Sequence, residues 1–330
     1  MQAPPPSDRS SFVPPGRLVS VGLHRLHINC QGSGSPAVVF DAALGASSVS
    51  WSLVQAAVAA VTQACSYDRA GFGWSEGGPL PRTAGRIADE LYVLLHRSGV
   101  APPYLLVGHS FGGLVMRVFA SRYRDETAGL VLLDPAHPEQ WLEPDAIERL
   151  QIDRGVRLCR YGALAARFGL ARVVAALVGI GALLPARAVV KVVSRGDLRR
   201  EDEGILAPIW RLPPSARRPL RRFWTEEKFY RALGSQIATI CDSAEEAAES
   251  ARQGFGDLRL TVVSPANPDP VRLRRQNALA GLSSRGCHVI ASRSGHWIPL
   301  DEPQLVIELV TQMVDAIRQP AAMHRGAAPR

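Results

Sequence analysis

The stretch Pro103-Tyr104-Leu105-Leu106-Val107-Gly108-His109-Ser110-Phe111-Gly112-Gly113 decides how the rest of this 330-residue chain is read. Leu105 to Val107 make an apolar run of strand character, and Leu114, Val115, Val118 and Phe119 follow at helical spacing. A serine set between glycines has to turn one into the other, and Gly108-His109-Ser110-Phe111-Gly112 fits G-x-S-x-G. Reversal within so few residues forces Ser110 into a strained backbone conformation, with its Oγ projecting above the sheet edge. The small neighbours let strand and helix approach. The Phe111 N–H then lies at a helix N-terminus without an intrahelical acceptor, where it can face a developing oxyanion. A glycine-flanked turn serine is the bland alternative, and the flanking strand and helix patterns argue against it.

Outward from this stretch, strand and helix patterns alternate. Leu18 to Val21 and Leu23 to Cys30 read as a hairpin-like start, and Ala37-Val38-Val39-Phe40 as a strand buried on both faces. Trp51, Val54, Val58 and Val61 share one helical face. Ala64-Cys65-Ser66-Tyr67 reads as a strand, and Ile87, Leu91, Leu94 and Leu95 as a helix ending at Gly99. Gly129 to Leu133 is a further strand, ending at Asp134-Pro135. This order predicts an α/β fold with a parallel sheet and right-handed crossovers. From Trp141 to Phe255 only helical patterns appear. Strands return at Leu258 to Val263 and Cys287 to Ile290, and a last helix follows Pro303. The expected organisation is a disordered segment 1–17, a core of 18–140 and 256–318, a helical cap at 141–255 and a disordered tail 319–330.

The net charge of +8 is carried mostly by arginine, with no basic run interleaved with aromatics, so no nucleic-acid partner is expected. Solvated arginines are the default reading, and preference for an anionic or membrane surface stays open. Residues 1–15 hold no apolar signal-peptide core, which points to a cytoplasmic location. The apolar run 173–186 has the length of a core or interfacial helix and is too short for a bilayer. The cysteines (Cys30, Cys65, Cys159, Cys241, Cys287) show no metal-ligand spacing and read as small buried hydrophobes. Cys30 and Cys65 fall in strands expected to be neighbours, so a disulfide is conceivable, although the expected compartment is reducing.

A serine hydroxyl needs a base to take its proton. Ser294-Gly295-His296-Trp297 follows the last strand, so His296 belongs at the same sheet edge as Ser110, the edge where α/β sheets hold their sites. His109 lies inside the turn and is expected to point away. His24, His27, His96 and His324 are less suitably placed, and His137 and His288 are less easily dismissed. For the carboxylate that orients the imidazole, Asp134 at a strand tip is favoured over Asp269 in the loop after the seventh strand. The second oxyanion donor, beside Phe111, is placed at the Leu44 N–H.

Tyr67-Asp68-Arg69-Ala70-Gly71-Phe72-Gly73-Trp74-Ser75, Gly108 to Gly113 and Ser294-Gly295-His296, in this order, resemble the α/β-hydrolase superfamily and within it the cap-bearing serine esterase/lipase-like branch. The resemblance implies an eight-stranded, mostly parallel sheet with a helical cap after the sixth strand, and serine-nucleophile chemistry without cofactor or metal. Two departures stand out. Ala42-Ala43-Leu44 replaces the usual His-Gly oxyanion motif, and the usual acid slot near Asn267 holds no aspartate. Relatives with an aspartate nucleophile are disfavoured by the serine at 110. The expected activity is hydrolysis of a carboxylic ester of a small acyl substrate. Leu164, Phe168, Leu170, Val173, Val174, Leu177 and Ile180 are expected to roof a hydrophobic acyl pocket. The rivals are amidase or aminopeptidase, C–C hydrolase or perhydrolase chemistry on the same residues, or a catalytically silent ligand-binding fold.

Overall fold

The computed structural model describes residues 13–179, 210–252 and 254–319. Its sheet comprises β1 (Arg17–Ser20), β2 (Arg25–Gln31), β3 (Ala37–Asp41), β4 (Ala64–Tyr67), β5 (Tyr104–His109), β6 (Thr127–Leu133), β7 (Arg259–Ser264) and β8 (Gly286–Ile290). The order across the sheet is β1-β2-β4-β3-β5-β6-β7-β8. β1 with β2 and β2 with β4 run antiparallel, and all later neighbours are parallel. β1 begins at Arg17, inside the segment read as disordered, and the Pro15 carbonyl is hydrogen-bonded to His27 Nε2, so the end of that segment is tied to the sheet.

Every residue of β3 and β5 is buried, as expected of central parallel strands covered on both faces. Their side chains alternate between two cores. Val38, Phe40, Leu105 and Val107 meet α1 (Gln55–Ala59) and α12 (Pro303–Arg318), whose Val306, Val310 and Met313 are buried there. Val39 and Leu106 face the other core, with Ile87, Leu91 and Leu94 of α2 (Ala84–Arg97) and Leu114, Val115 and Val118 of α3 (Phe111–Arg122).

The helix expected through Trp51 is split into a 3-10 turn, Ser48–Trp51, and the short α1. Ser48 N–H donates to Asp68 Oδ1 at 2.7 Å, which ties the entry to the neighbouring loop. The predicted face survives, because Trp51, Val54 and Val58 are all buried in one cluster with Val61 against it.

Cys30 and Cys65 are paired residues of β2 and β4 and form a disulfide, against the reading of both as plain apolar side chains. Cys159 is buried, Cys241 half-buried and Cys287 exposed. The last departs from the buried reading because β8 is the sheet's edge strand.

Between β6 and β7 the described residues form α4 (Pro138–Leu142), α5 (Ala146–Arg167), α6 (Leu170–Gly179), α7 (Pro214–Phe223), α8 (Glu227–Ala238) and α9 (Ile240–Ala251). α5 and α8 pack closely: a side chain at Gly162 would strike Tyr230, and one at Gly234 would strike Cys159. α9 seats against α2 and α3, with Ala247 fully buried in their core and Thr83 Oγ1 bonded to Glu246 at 2.9 Å. α10 (Pro270–Ala280) and the short α11 (Ile298–Asp301) complete the described helices used below. No helix among the described residues is long and apolar enough to cross a membrane.

Candidate active site

Ser110 joins the end of β5 to α3 at φ 54° and ψ -117°, so the strain expected of the turn is present. Its N–H donates to Leu133 O at 3.0 Å and its carbonyl accepts from Gly113 N–H (2.9 Å) and Ala136 N–H (3.0 Å). Backbone contacts thus hold the strained residue from α3, from the end of β6 and from the loop that follows β6. The flanking glycines are required by space. A Cβ at Gly108 would lie 2.6 Å from Gly112 O, and one at Gly112 would lie 2.6 Å from Asp41 O. Phe111 is the first residue of α3, so its N–H has no carbonyl four residues back within the helix.

The end of β3 passes beside α3 into the turn Ala43-Leu44-Gly45-Ala46, closed by Ala46 N–H to Ala43 O at 3.1 Å, with Gly45 at φ 71°. Leu44 occupies the first central position, whose N–H the turn does not use. Arg69 holds this loop from beneath. Its Nε donates to Asp41 Oδ1 at 2.8 Å, Nη1 to Ala43 O at 3.4 Å and Nη2 to Ala42 O, and its guanidinium lies 5.0 Å from the Phe111 ring centroid. The adjacent Asp68 carboxylate accepts from Ser48 N–H and from Trp74 N–H at 3.1 Å, and lies 2.8 Å from His27 Nδ1. Burial opposes charge on His27, but Asp68 and the Pro15 carbonyl together outweigh it and raise the imidazole pKa. The stretch Asp68 to Ser75, legible only as a family motif, is therefore the brace of the β3 loop.

Asp134 follows β6 at φ 40°, buried, its N–H donating to Val263 O at 2.7 Å. Its Oδ2 accepts from His296 Nδ1 at 2.6 Å and from Arg272 Nη2 at 3.0 Å. Asp269, the alternative carboxylate, is instead the N-cap of α10, accepting from Val271 N–H and Arg272 N–H at 2.9 Å each. Those backbone donors hold its carboxyl below the usual range. Asn267, at the usual acid slot, takes φ 49°.

The His296 loop is anchored along its length. Arg293 N–H donates to Glu302 (2.7 Å), Gly295 N–H to Asp301 (2.9 Å) and Ala266 N–H to Ser294 O (2.8 Å). His109 makes the remaining anchor: its Nε2 donates to His296 O at 2.7 Å. That tie to the other histidine went unread in the sequence. Burial, with His296 nearby, pushes the His109 pKa down to about 3, so the imidazole is neutral and carries its proton at Nε2.

Ser110, Asp134 and His296 line one cavity of about 400 Å³. Pro135, Ala136, Trp141 and Val271 contribute apolar wall; His137, Gln140, Glu148, Asp269, Arg272, Arg275 and Gln276 make the rest polar. Burial pushes the His137 pKa down to about 4, so that wall residue is neutral near pH 7. The expected apolar roof is not part of this lining. Leu164, Phe168, Leu170 and Val173 are exposed and Val174 and Leu177 half-buried, because the α5–α6 corner turns its stripe outward; Ile180 lies outside the described residues. Among the described residues no group of three or more His, Cys, Asp or Glu could hold a metal ion.

A family model for the alpha/beta hydrolase fold matches residues 36–156. The uncharacterised protein YqjL of Bacillus subtilis (strain 168) is 39% identical over 106 residues, covering 32% of this chain and 42% of YqjL, so the match spans less than half of that relative. Among solved structures, a thermophilic esterase from Thermogutta terrifontis aligns at TM-score 0.62 and 18% identity over 90% of this chain and 95% of its own. The epoxide hydrolase CorEH aligns at TM-score 0.67 and 18% identity, over 92% and 99%. At such identity the likeness is one of fold. The strand order, the family model over residues 36–156 and these neighbours agree on one architecture, the α/β-hydrolase fold.

Proposed function

We propose that this chain is a serine hydrolase that cleaves a carboxylic ester through an acyl-enzyme, with Ser110 as nucleophile, His296 as base and Asp134 as its partner. The reading is carried by the 2.6 Å bond between His296 Nδ1 and the buried Asp134 carboxylate, in a cavity that also opens onto Ser110. With its Nδ1–H donating to the Asp134 carboxylate, the imidazole presents an unprotonated Nε2 to accept the Ser110 proton. Ser110 Oγ bonds to the carbonyl carbon, and the proton passes to His296. The tetrahedral oxyanion is met by the N–H groups of Phe111 and Leu44. Collapse breaks the bond to the alkoxide, which leaves with the proton from His296. Water then attacks the acyl carbon, gives a proton to His296, and Ser110 departs with it. No cofactor enters these steps.

The polar wall favours an acyl group bearing hydrogen-bonding substituents over a long plain alkyl chain, which replaces the hydrophobic acyl expected from the outward-facing stripe. The test pairs a fluorophosphonate probe, mapped by peptide mass, with hydrolysis of p-nitrophenyl esters and matching anilides. Labelling at Ser110 with ester turnover, both lost in Ser110→Ala and His296→Ala, is the expected result. Absence of labelling on folded protein would remove the serine mechanism. Faster anilide than ester turnover would move the reaction to amides.

A further inference from the structure

We infer that the corner between α5 and α6 is a docking surface for an anionic lipid bilayer. Phe168 (75% exposed), Leu164 (53%), Val173 (49%) and Leu170 (43%) stand in solvent within ten residues of one another. Arg160, Leu164, Arg167 and Phe168 recur at the spacing that shares one face of α5 and its end. Gly169, at φ 80°, then turns the chain so that Leu170, Arg172 and Val173 open α6 on the same corner. Arg160, Arg167 and Arg172 are exposed and in no ion pair among the described residues. Between Asp153 and Asp197 the sequence has no acidic residue at all.

That combination decides between occupants. A second copy meeting this patch through a two-fold axis would set arginine against arginine with no carboxylate to offset them. A headgroup layer carrying negative charge accepts both parts at once. The leucines, phenylalanine and valine enter the acyl boundary, while the arginine stems extend along it and leave the guanidinium groups among phosphates. The inference is independent of the chemistry at Ser110.

The test is co-sedimentation of the full Ser110→Ala chain, which cannot turn over lipid esters by the proposed route, with vesicles of phosphatidylcholine alone or mixed with phosphatidylserine. Binding is expected only with phosphatidylserine, and is expected to fall with salt. Each arginine removed should weaken partitioning about five-fold, so Arg160→Gln, Arg167→Gln and Arg172→Gln together should weaken it about a hundred-fold. Phe168→Ser should weaken it about ten-fold. Arg274→Gln, the same charge change on α10, should leave it unchanged. Thermal melting of each variant checks that it is folded. Equal binding to both vesicle types, no binding, or a triple variant that binds like the parent would overturn the proposal. So would a dimer in light scattering that Phe168→Ser dissolves while vesicles are ignored.

Discussion

Ser110→Gly and Ser110→Ala both delete the hydroxyl, so comparing them isolates the backbone. Ser110 is held at φ 54° and ψ -117°, a conformation glycine adopts freely and alanine does not. Keeping a side-chain-bearing residue there costs on the order of 1–3 kcal/mol, and alanine retains that cost. Glycine relieves it but gives back about 0.5–1 kcal/mol through the greater freedom of its unfolded chain. Ser110 N–H and carbonyl bonds to Leu133, Gly113 and Ala136 are backbone bonds and survive both changes. The difference should leave Ser110→Gly about 0.5–2 kcal/mol more stable than Ser110→Ala, a higher melting temperature by roughly 1–3 °C for a chain of this length. Differential scanning calorimetry at one scan rate reads this directly, and neither variant should hydrolyse p-nitrophenyl esters above a residual level. A glycine variant melting at or below the alanine variant would refute the claim that the turn stores strain for the sake of the serine.

Asp134→Asn should lower ester kcat by up to about 10⁴-fold, while Asp269→Asn, at a helix cap on the cavity wall, should lower it far less; the reverse would exchange their roles. Arg69→Lys keeps a cation beside Asp41 but releases the Ala42 and Ala43 carbonyls, so kcat should fall roughly 10- to 100-fold with KM unchanged, and a loss confined to KM would count against the bracing of Leu44. The His109 pKa lies at about 3 in the fold and near 6.5 once unfolded, so the unfolded chain binds the extra proton as pH falls below about 6.5. Stability should therefore drop with a slope of up to about 1.4 kcal/mol per pH unit from this residue, and His109→Gln should flatten the urea-midpoint profile between pH 7 and pH 5. The Cys30–Cys65 bond closes a separation of 35 residues, so Cys30→Ser with Cys65→Ser should destabilise the chain by about 3–4 kcal/mol on the loop-entropy account, read in urea against the oxidised parent.

What could be read from the residues alone was what local pattern encodes. β3, β5 and β6 are buried on both faces and so print as unbroken apolar runs, and Gly108-His109-Ser110-Phe111-Gly112 carries its own steric reason. Asp134 and Asp269 were both legible as candidates. The pair Asp269-Pro270 also carried a sign of its true place, an N-cap followed by proline at the first helical position. Other features depend on distant partners. The bond from His109 to His296 O spans 187 positions, and Cys30 meets Cys65 only once β2 and β4 have found their register. The stripe through Leu164 and Val173 shows why periodicity stops short: spacing groups residues on one face of a helix, but the helix's neighbours decide whether that face looks inward.

Ser110, Asp134 and His296 hang from the tips of β5 and β6 and from the loop after β8, while α5, α6 and α7 supply none of them. Among the described residues the cavity wall comes from two short lengths, 135–141 and 269–276, with Glu148 as the one contribution from α5. Under the proposed chemistry, substitutions in those two lengths would change which molecules are admitted while the attacking serine and its histidine stay on β5 and the loop after β8. New substrates can therefore be acquired by a few point changes beside the sheet edge, with the helices between β6 and β7 left as they are.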